Sequence, residues 1–264
     1  MIGKDLINKR IVVFGGSGQI GFALVKYLAG ESVSVLVADI DEKHFFSKME
    51  LENVANVQFI KCDVSNEVEV EAVFVEANKA GGYSGVVNCI HFKGNTRVLD
   101  IKSDFFADYL NYPEEAWQLV HDVNLKGTFL INRCAVKFKP KDSKLSLVNV
   151  SSTYGLNSPN PSIYGDSGIN SPIAYASSKS AIVNLTKYIA VHAKNQNVRA
   201  NVLTPGGVYN NQDDVFVSNY SKLTVLNRMA EPEDYVGGFI FLLSESSAYM
   251  TGANLIIDGG WTAW

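Results

Sequence analysis

Several short segments of this chain are rich in apolar residues. These are Arg10 to Phe14, Val33 to Ala38, Val57 to Cys62, Gly85 to Ile90, Leu145 to Val150, Arg199 to Leu203 and Leu255 to Ile257, and in Gly85 to Ile90 nearly every position is apolar rather than every second one. Such runs have the length of strands, and strands without polar alternation are covered on both faces, as in a parallel sheet. Between them the period changes. Gln19 to Ala29, Glu67 to Ala80, Ala174 to Ala193 and Val236 to Leu243 read as helices. Pro113, Glu114 and Glu115 open another, expected to run to about Lys139: proline lacks the N–H that a first turn leaves unused, and the acids favour the positive end of the helix. Alternating strands and helices predict α/β: a single Rossmann-like, doubly wound parallel sheet of about seven strands with helices on both faces.

Composition narrows the functional classes. No Pro/Gly/Ser-rich linker divides the 264 residues, so one domain over residues 1–264 is expected. A net charge of -4 with scattered basic residues gives no attraction to phosphate backbones or anionic membranes, so neither nucleic acid nor membrane is an expected partner. At the start, the apolar stretch Ile11 to Phe14 is too short to export the chain or span a bilayer, which makes a cytoplasmic location the expectation. Cys62, Cys89 and Cys134 are odd in number and widely spaced, as free thiols would be. His44, His91, His121 and His192 form no metal-binding spacing, and no metal is expected.

The candidate chemistry begins after the first strand. Gly15, Gly18 and Gly21 lie between it and the first helix: the first can permit a tight turn, the second close approach to a pyrophosphate, the third close helix packing, while free amides at the helix start bind phosphate. Asp39, at the end of the second strand, can accept hydrogen bonds from adenosine ribose hydroxyls and would repel a 2′-phosphate. Its neighbours Ala38 and Ile40 include no arginine, so NAD is the expected cofactor. Asp63, after the third strand, is a candidate for the adenine amino group, and Asn88 closes the fourth strand region near the cofactor.

These residues, together with Asn124, Val148-Asn149-Val150-Ser151-Ser152, Tyr175-Ala176-Ser177-Ser178-Lys179, Pro205-Gly206 and the tail Thr251-Gly252 with Asp258-Gly259-Gly260, resemble the short-chain dehydrogenase/reductase family over nearly the whole chain. The resemblance implies that Tyr175 is the acid/base, Lys179 its partner one helical turn away, Ser152 the group that polarises the substrate oxygen, and Asn124 the support of a water-linked relay to the lysine. It extends the expected cofactor contacts to Gly15, Ser17, Gly18, Gln19, Ile20, Gly21, Asp39, Ile40, Cys62, Asp63, Val64, Asn88, Tyr175, Lys179, Pro205, Gly206 and Val208. The lysine charge is expected to lower the tyrosine pKa. The family also implies a homotetramer or homodimer, assembled through the helices within Pro113–Lys139 and Ala174–Ala193.

Several positions depart from the family pattern. Phe14 stands where threonine is usual, Cys89, Ile90 and His91 replace small residues, and Asn210 follows Val208-Tyr209 where a threonine often supports the nicotinamide. Ser152 and Tyr175 are 23 residues apart, a longer separation than in the short members. Three long connections, near 91–112, 154–172 and 207–231, are expected to form a substrate rim. Lys93, Arg97, Tyr109, Tyr164, Asp213, Tyr220 and Arg228 among them point to a polar, sugar-like small molecule, and the chain loosely resembles bacterial surface-glycan and flagellin-modification oxidoreductases. The expected activity is NAD-dependent interconversion of a secondary alcohol and a ketone. Alternatives are a sugar-nucleotide epimerase or dehydratase that retains its NAD, and a non-catalytic NAD-binding protein.

Overall fold

The computed structural model describes residues 3–48, 56–94, 101–167 and 171–264. Its strands are β1 (Arg10–Phe14), β2 (Ser34–Asp39), β3 (Val57–Lys61), β4 (Gly85–Asn88), β5 (Leu145–Val150), β6 (Val198–Pro205) and β7 (Asn254–Ile257). They form one parallel sheet in the order β3-β2-β1-β4-β5-β6-β7. Helices α1 (Gln19–Gly30), α2 (Glu42–Lys48), α3 (Glu67–Lys79), α4 (Glu114–His121), α5 (Gly127–Lys137), α6 (Ile173–His192), α7 (Asp214–Lys222) and α8 (Val236–Leu243) connect them.

The apolar runs have the cause expected of them. In β1, Ile11 and Val13 enter a core shared with Leu24 and Leu28 of α1 and Phe239 and Ile240 of α8. Val12 and Phe14 point the other way, into a core shared with Val70, Val73 and Phe74 of α3 and Leu130 and Ile131 of α5. Successive side chains of a strand face opposite sides, so a strand between two helical layers buries both of its faces.

The order of the sheet locates the ligand crevice. The chain builds outward from β1 through β2 to β3, then returns to place β4 on the other side of β1. Loops leaving the carboxyl ends of β1 and β4 therefore diverge, and open α/β sheets bind ligands in the crevice so formed.

Two expectations need correction. The helix expected from Pro113 to Lys139 ends at Lys137 and is interrupted by a wide π turn over Asp122–Lys126 between α4 and α5. The fourth strand ends at Asn88 rather than Ile90, so Cys89 and Ile90 belong to the loop entering the crevice. Helix α7 was not expected within the third long connection. Asp213 caps it by accepting from the Phe216 N–H at 2.9 Å.

Candidate functional site

Beyond β1 the glycine loop turns under tight steric limits. Gly15 has φ of 75°, a left-handed conformation, and a side chain there would strike the backbone of Cys89. A Cβ at Gly21 would overlap the Gly15 carbonyl, so this glycine lets α1 lie against the loop. Gly18, the residue before α1, meets only the Gly15 oxygen, at 3.3 Å. Its missing side chain leaves the mouth of the crevice open beside the helix amides, the arrangement suited to a pyrophosphate.

That crevice is a cavity of about 670 Å³. Of the expected cofactor contacts, Gly15, Ser17, Gly18, Gln19, Asp39, Ile40, Cys62, Asp63 and Val64 line it. Asp39 is buried and accepts from the backbone N–H of Ser17 at 2.9 Å and of Asp41 at 3.0 Å, tying the end of β2 to the glycine loop. Asp63 accepts from the N–H and hydroxyl of Ser65 at 2.9 and 2.8 Å. A glycine cradle, a helix start and a carboxylate at the end of the second strand fit a dinucleotide: the cradle and α1 would hold the pyrophosphate, Asp39 the adenosine ribose.

Other expected contacts lie elsewhere. Asn88 is buried, donates to the Thr128 hydroxyl at 2.8 Å and accepts from the Ile90 N–H at 3.1 Å. It braces the end of β4 instead of facing the cavity. Ile20 packs against the core beneath α1. Gly206 sits tightly on the Asp258 backbone just beyond Pro205, and Val208 bridges to Ala230. Sequence reasoning missed His44 and Lys48 of α2, which line the adenosine side. The Lys48 ammonium donates to the Ser17 carbonyl at 3.0 Å. Two basic residues one helical turn apart, just after Asp39, were the available signal.

The candidate quartet gathers behind the loop leaving β4, whose Ile90, His91 and Phe92 line the cavity. Ser152 follows β5, and its hydroxyl accepts from the Tyr154 N–H at 3.2 Å and hydrogen-bonds the Tyr175 phenol. Tyr175 and Lys179 lie one turn apart on α6, and both are buried. The Lys179 ammonium is 5.8 Å from the Tyr175 ring centroid and donates to the carbonyls of Ile90 at 2.8 Å and Val150 at 2.9 Å. Asn124, fully buried in the π turn, donates to the Phe92 carbonyl at 2.7 Å and to the Ser178 hydroxyl at 3.1 Å, and accepts from the Phe92 N–H at 2.9 Å. A π turn offsets the helix register and often marks a functional site. Here it turns the asparagine toward the loop leaving β4.

Electrostatics corrects one expectation. Burial pushes the Tyr175 phenol up to about 12, with the Ser152 hydrogen bond acting against it. Burial also brings Lys179 down to about 8, partly offset by the nearby Cys89 thiol. The lysine does not bring the tyrosine below its ordinary value, because removing a phenolate from water costs more than this cation returns. Phenol as proton donor is thus the resting form.

Two rims meet in a small aromatic core. Ile163 from the second rim packs with Tyr220 of α7, Met229 and Trp261. Tyr220 stacks on Trp261 at 4.3 Å and accepts from the Gly207 N–H at 2.5 Å. Trp261 is buried in its own chain, whereas Trp264 is largely exposed. Arg97 of the first rim lies outside the described residues.

The family model for Enoyl-(Acyl carrier protein) reductase matches residues 16–262. Post-translational flagellin modification protein A of Campylobacter coli is 30% identical over 97% of this chain and 99% of its own length. The chain belongs to the short-chain dehydrogenase/reductase family. A short-chain dehydrogenase from Leptospira borgpetersenii, solved with bound NAD+, is 33% identical, covers 97% of this chain and 94% of its own, and superposes with a TM-score of 0.86. The NADH-dependent L-xylulose reductase of Ambrosiozyma monospora is 27% identical over 96% of this chain and 94% of its own. Short-chain dehydrogenase/reductase enzymes are NAD(P)-dependent oxidoreductases of small molecules, and this chain carries their dinucleotide fold. Among the described residues, no helix is long and apolar enough to cross a membrane.

Proposed function

We propose that this chain interconverts a secondary alcohol and a ketone on a polar, sugar-like small molecule, with NAD as its cofactor. The observation that carries the reading is the meeting of Ser152, Tyr175 and Lys179 against the loop of Ile90 and His91, which lines the same crevice as the glycine cradle and Asp39. When bound, the dinucleotide supplies the hydride acceptor or donor. Tyr175 Oη gives a proton to the substrate oxygen during reduction and takes it back during oxidation. Ser152 Oγ holds that oxygen beside the phenol. Lys179, fixed by two carbonyls, keeps a positive charge near the phenol and favours its ionised form at the moment of transfer.

Preference for NAD rests on Asp39, whose carboxylate is placed to accept ribose hydroxyls and repel an added phosphate. The NAD+ bound to the Leptospira relative supports it. The substrate class rests on the polar rims near 91–112, 154–172 and 207–231, and on relatives named for flagellin modification and L-xylulose. The three free cysteines suit a reducing cytoplasm. Exposed Phe129 on α5 and Tyr188 and Val191 on α6 suit assembly into a homodimer or homotetramer through these helices.

The test is dinucleotide reduction with a panel of sugars and nucleotide sugars beside steroid and acyl substrates. A sugar-class substrate is expected to be turned over best, with NAD preferred to NADP, and Asp39→Asn is expected to shrink that preference at least about tenfold. Best turnover of a steroid or acyl compound, or an NADP preference in the parent protein, contradicts the reading.

A further inference from the structure

The loop leaving β4 is anchored on both sides of His91. Lys179 donates to the carbonyl of Ile90, and Asn124 takes both backbone polar groups of Phe92. A residue with two pinned neighbours has little freedom in where it points. Its ring lies against that of Tyr175, centroids 4.9 Å apart and planes tilted by 39°. The other side of the ring is exposed to the crevice. Among the described residues, no hydrogen bond ties either ring nitrogen. A ring that served packing alone would be covered and need no nitrogens.

We propose that His91 determines specificity by hydrogen-bonding a hydroxyl on the carbon next to the reacting one, so that the protein selects α-hydroxy ketones and vicinal diols. This rests on the reading of Tyr175 as the group that meets the reacting oxygen. Rings this close serve oxygens on neighbouring carbons better than oxygens far apart along a substrate. The protonation state chooses the kind of group. Desolvation on the side packed against Tyr175 and the cations of Lys93 and Lys179 lower the imidazole pKa below its ordinary value. The neutral ring therefore offers one donor and one acceptor. A hydroxyl matches that pair, whereas a carboxylate or phosphate calls for two donors.

The probes are two ketone pairs that differ only in the neighbouring hydroxyl: acetoin against butanone, and hydroxyacetone against acetone, each with NADH. In the parent protein, kcat/KM is expected to favour the hydroxylated member by at least about tenfold, the worth of one good hydrogen bond to a neutral group. His91→Phe is expected to reduce that ratio at least about tenfold. His91→Asn keeps a donor and an acceptor and is expected to restore part of it. Circular dichroism checks that both variants are folded. Equal losses on both members of a pair, or a parent protein without the preference, overturn the proposal, as does a parent that reduces other ketones but neither pair. Tyr175→Phe separates the two layers. If it stays as active as the parent, the underlying reading falls; if it is inactive while His91→Phe leaves the ratio unchanged, only the role of His91 falls.

Discussion

Burial and hydrogen bonding act in opposite directions on Tyr175, and burial wins, leaving the phenol protonated up to about 12. Lys179 is displaced the other way, to about 8. The sign of the pH dependence follows. Reduction needs the protonated phenol and is expected to hold its kcat/KM level from neutral pH until Lys179 loses its charge near 8, then to decline. Oxidation needs the phenolate and is expected to climb from neutral into alkaline pH. Steady-state profiles in both directions check this; an oxidation rate flat from neutral upward contradicts it. That Tyr175 and Lys179 lie one helical turn apart was legible from their spacing, but the sign of the tyrosine shift was not. Spacing says that two groups are near, while desolvation depends on everything packed around them. The Cys89 thiol makes the same point: it borders the crevice close to the Lys179 cation, yet burial pushes it up to about 12.

At the level of strands and helices, the π turn between α4 and α5 does the most to shape the site. It carries Asn124, whose side chain satisfies both the N–H and the carbonyl of Phe92, while its own carbonyl accepts from Thr128, the same hydroxyl that receives Asn88. Three elements are thereby fastened at one point: the end of β4, the π turn and, through Ser178, α6. Asn124→Ala leaves buried backbone groups without partners and is expected to cost about 2–3 kcal/mol of stability, measurable by denaturant unfolding. A loss below about 0.5 kcal/mol, the size of an ordinary surface substitution, contradicts the bracing role. The sequence pattern predicted a helix here because a π turn keeps the helical direction and composition; one extra residue in a turn leaves no distinct mark on apolar spacing. Helix α7 escaped for another reason. Asp213 and Asp214 are a helix start, but Tyr220 was read as part of a substrate rim, and only the fold shows that it packs on Trp261.

At the scale of the whole molecule, the proposed function separates two tasks across one sheet. The strand run and its helices were readable because burial on both faces makes the inner strands rich in apolar residues, and the glycine loop was readable because its steric demands admit almost nothing else. The rims were readable only as excess length. What they pack against is set by contacts between distant segments, such as Asn219 donating to the Ser162 carbonyl at 3.3 Å. The central claim is that the crevice binds the dinucleotide while Tyr175 moves the proton, and it predicts that the two tasks can be uncoupled. The direct measurement is the single-turnover rate of Tyr175→Phe beside its dinucleotide affinity. The account predicts affinity within about threefold of the parent and a rate at least about 100-fold lower. A rate equal to the parent's at saturating dinucleotide would contradict it.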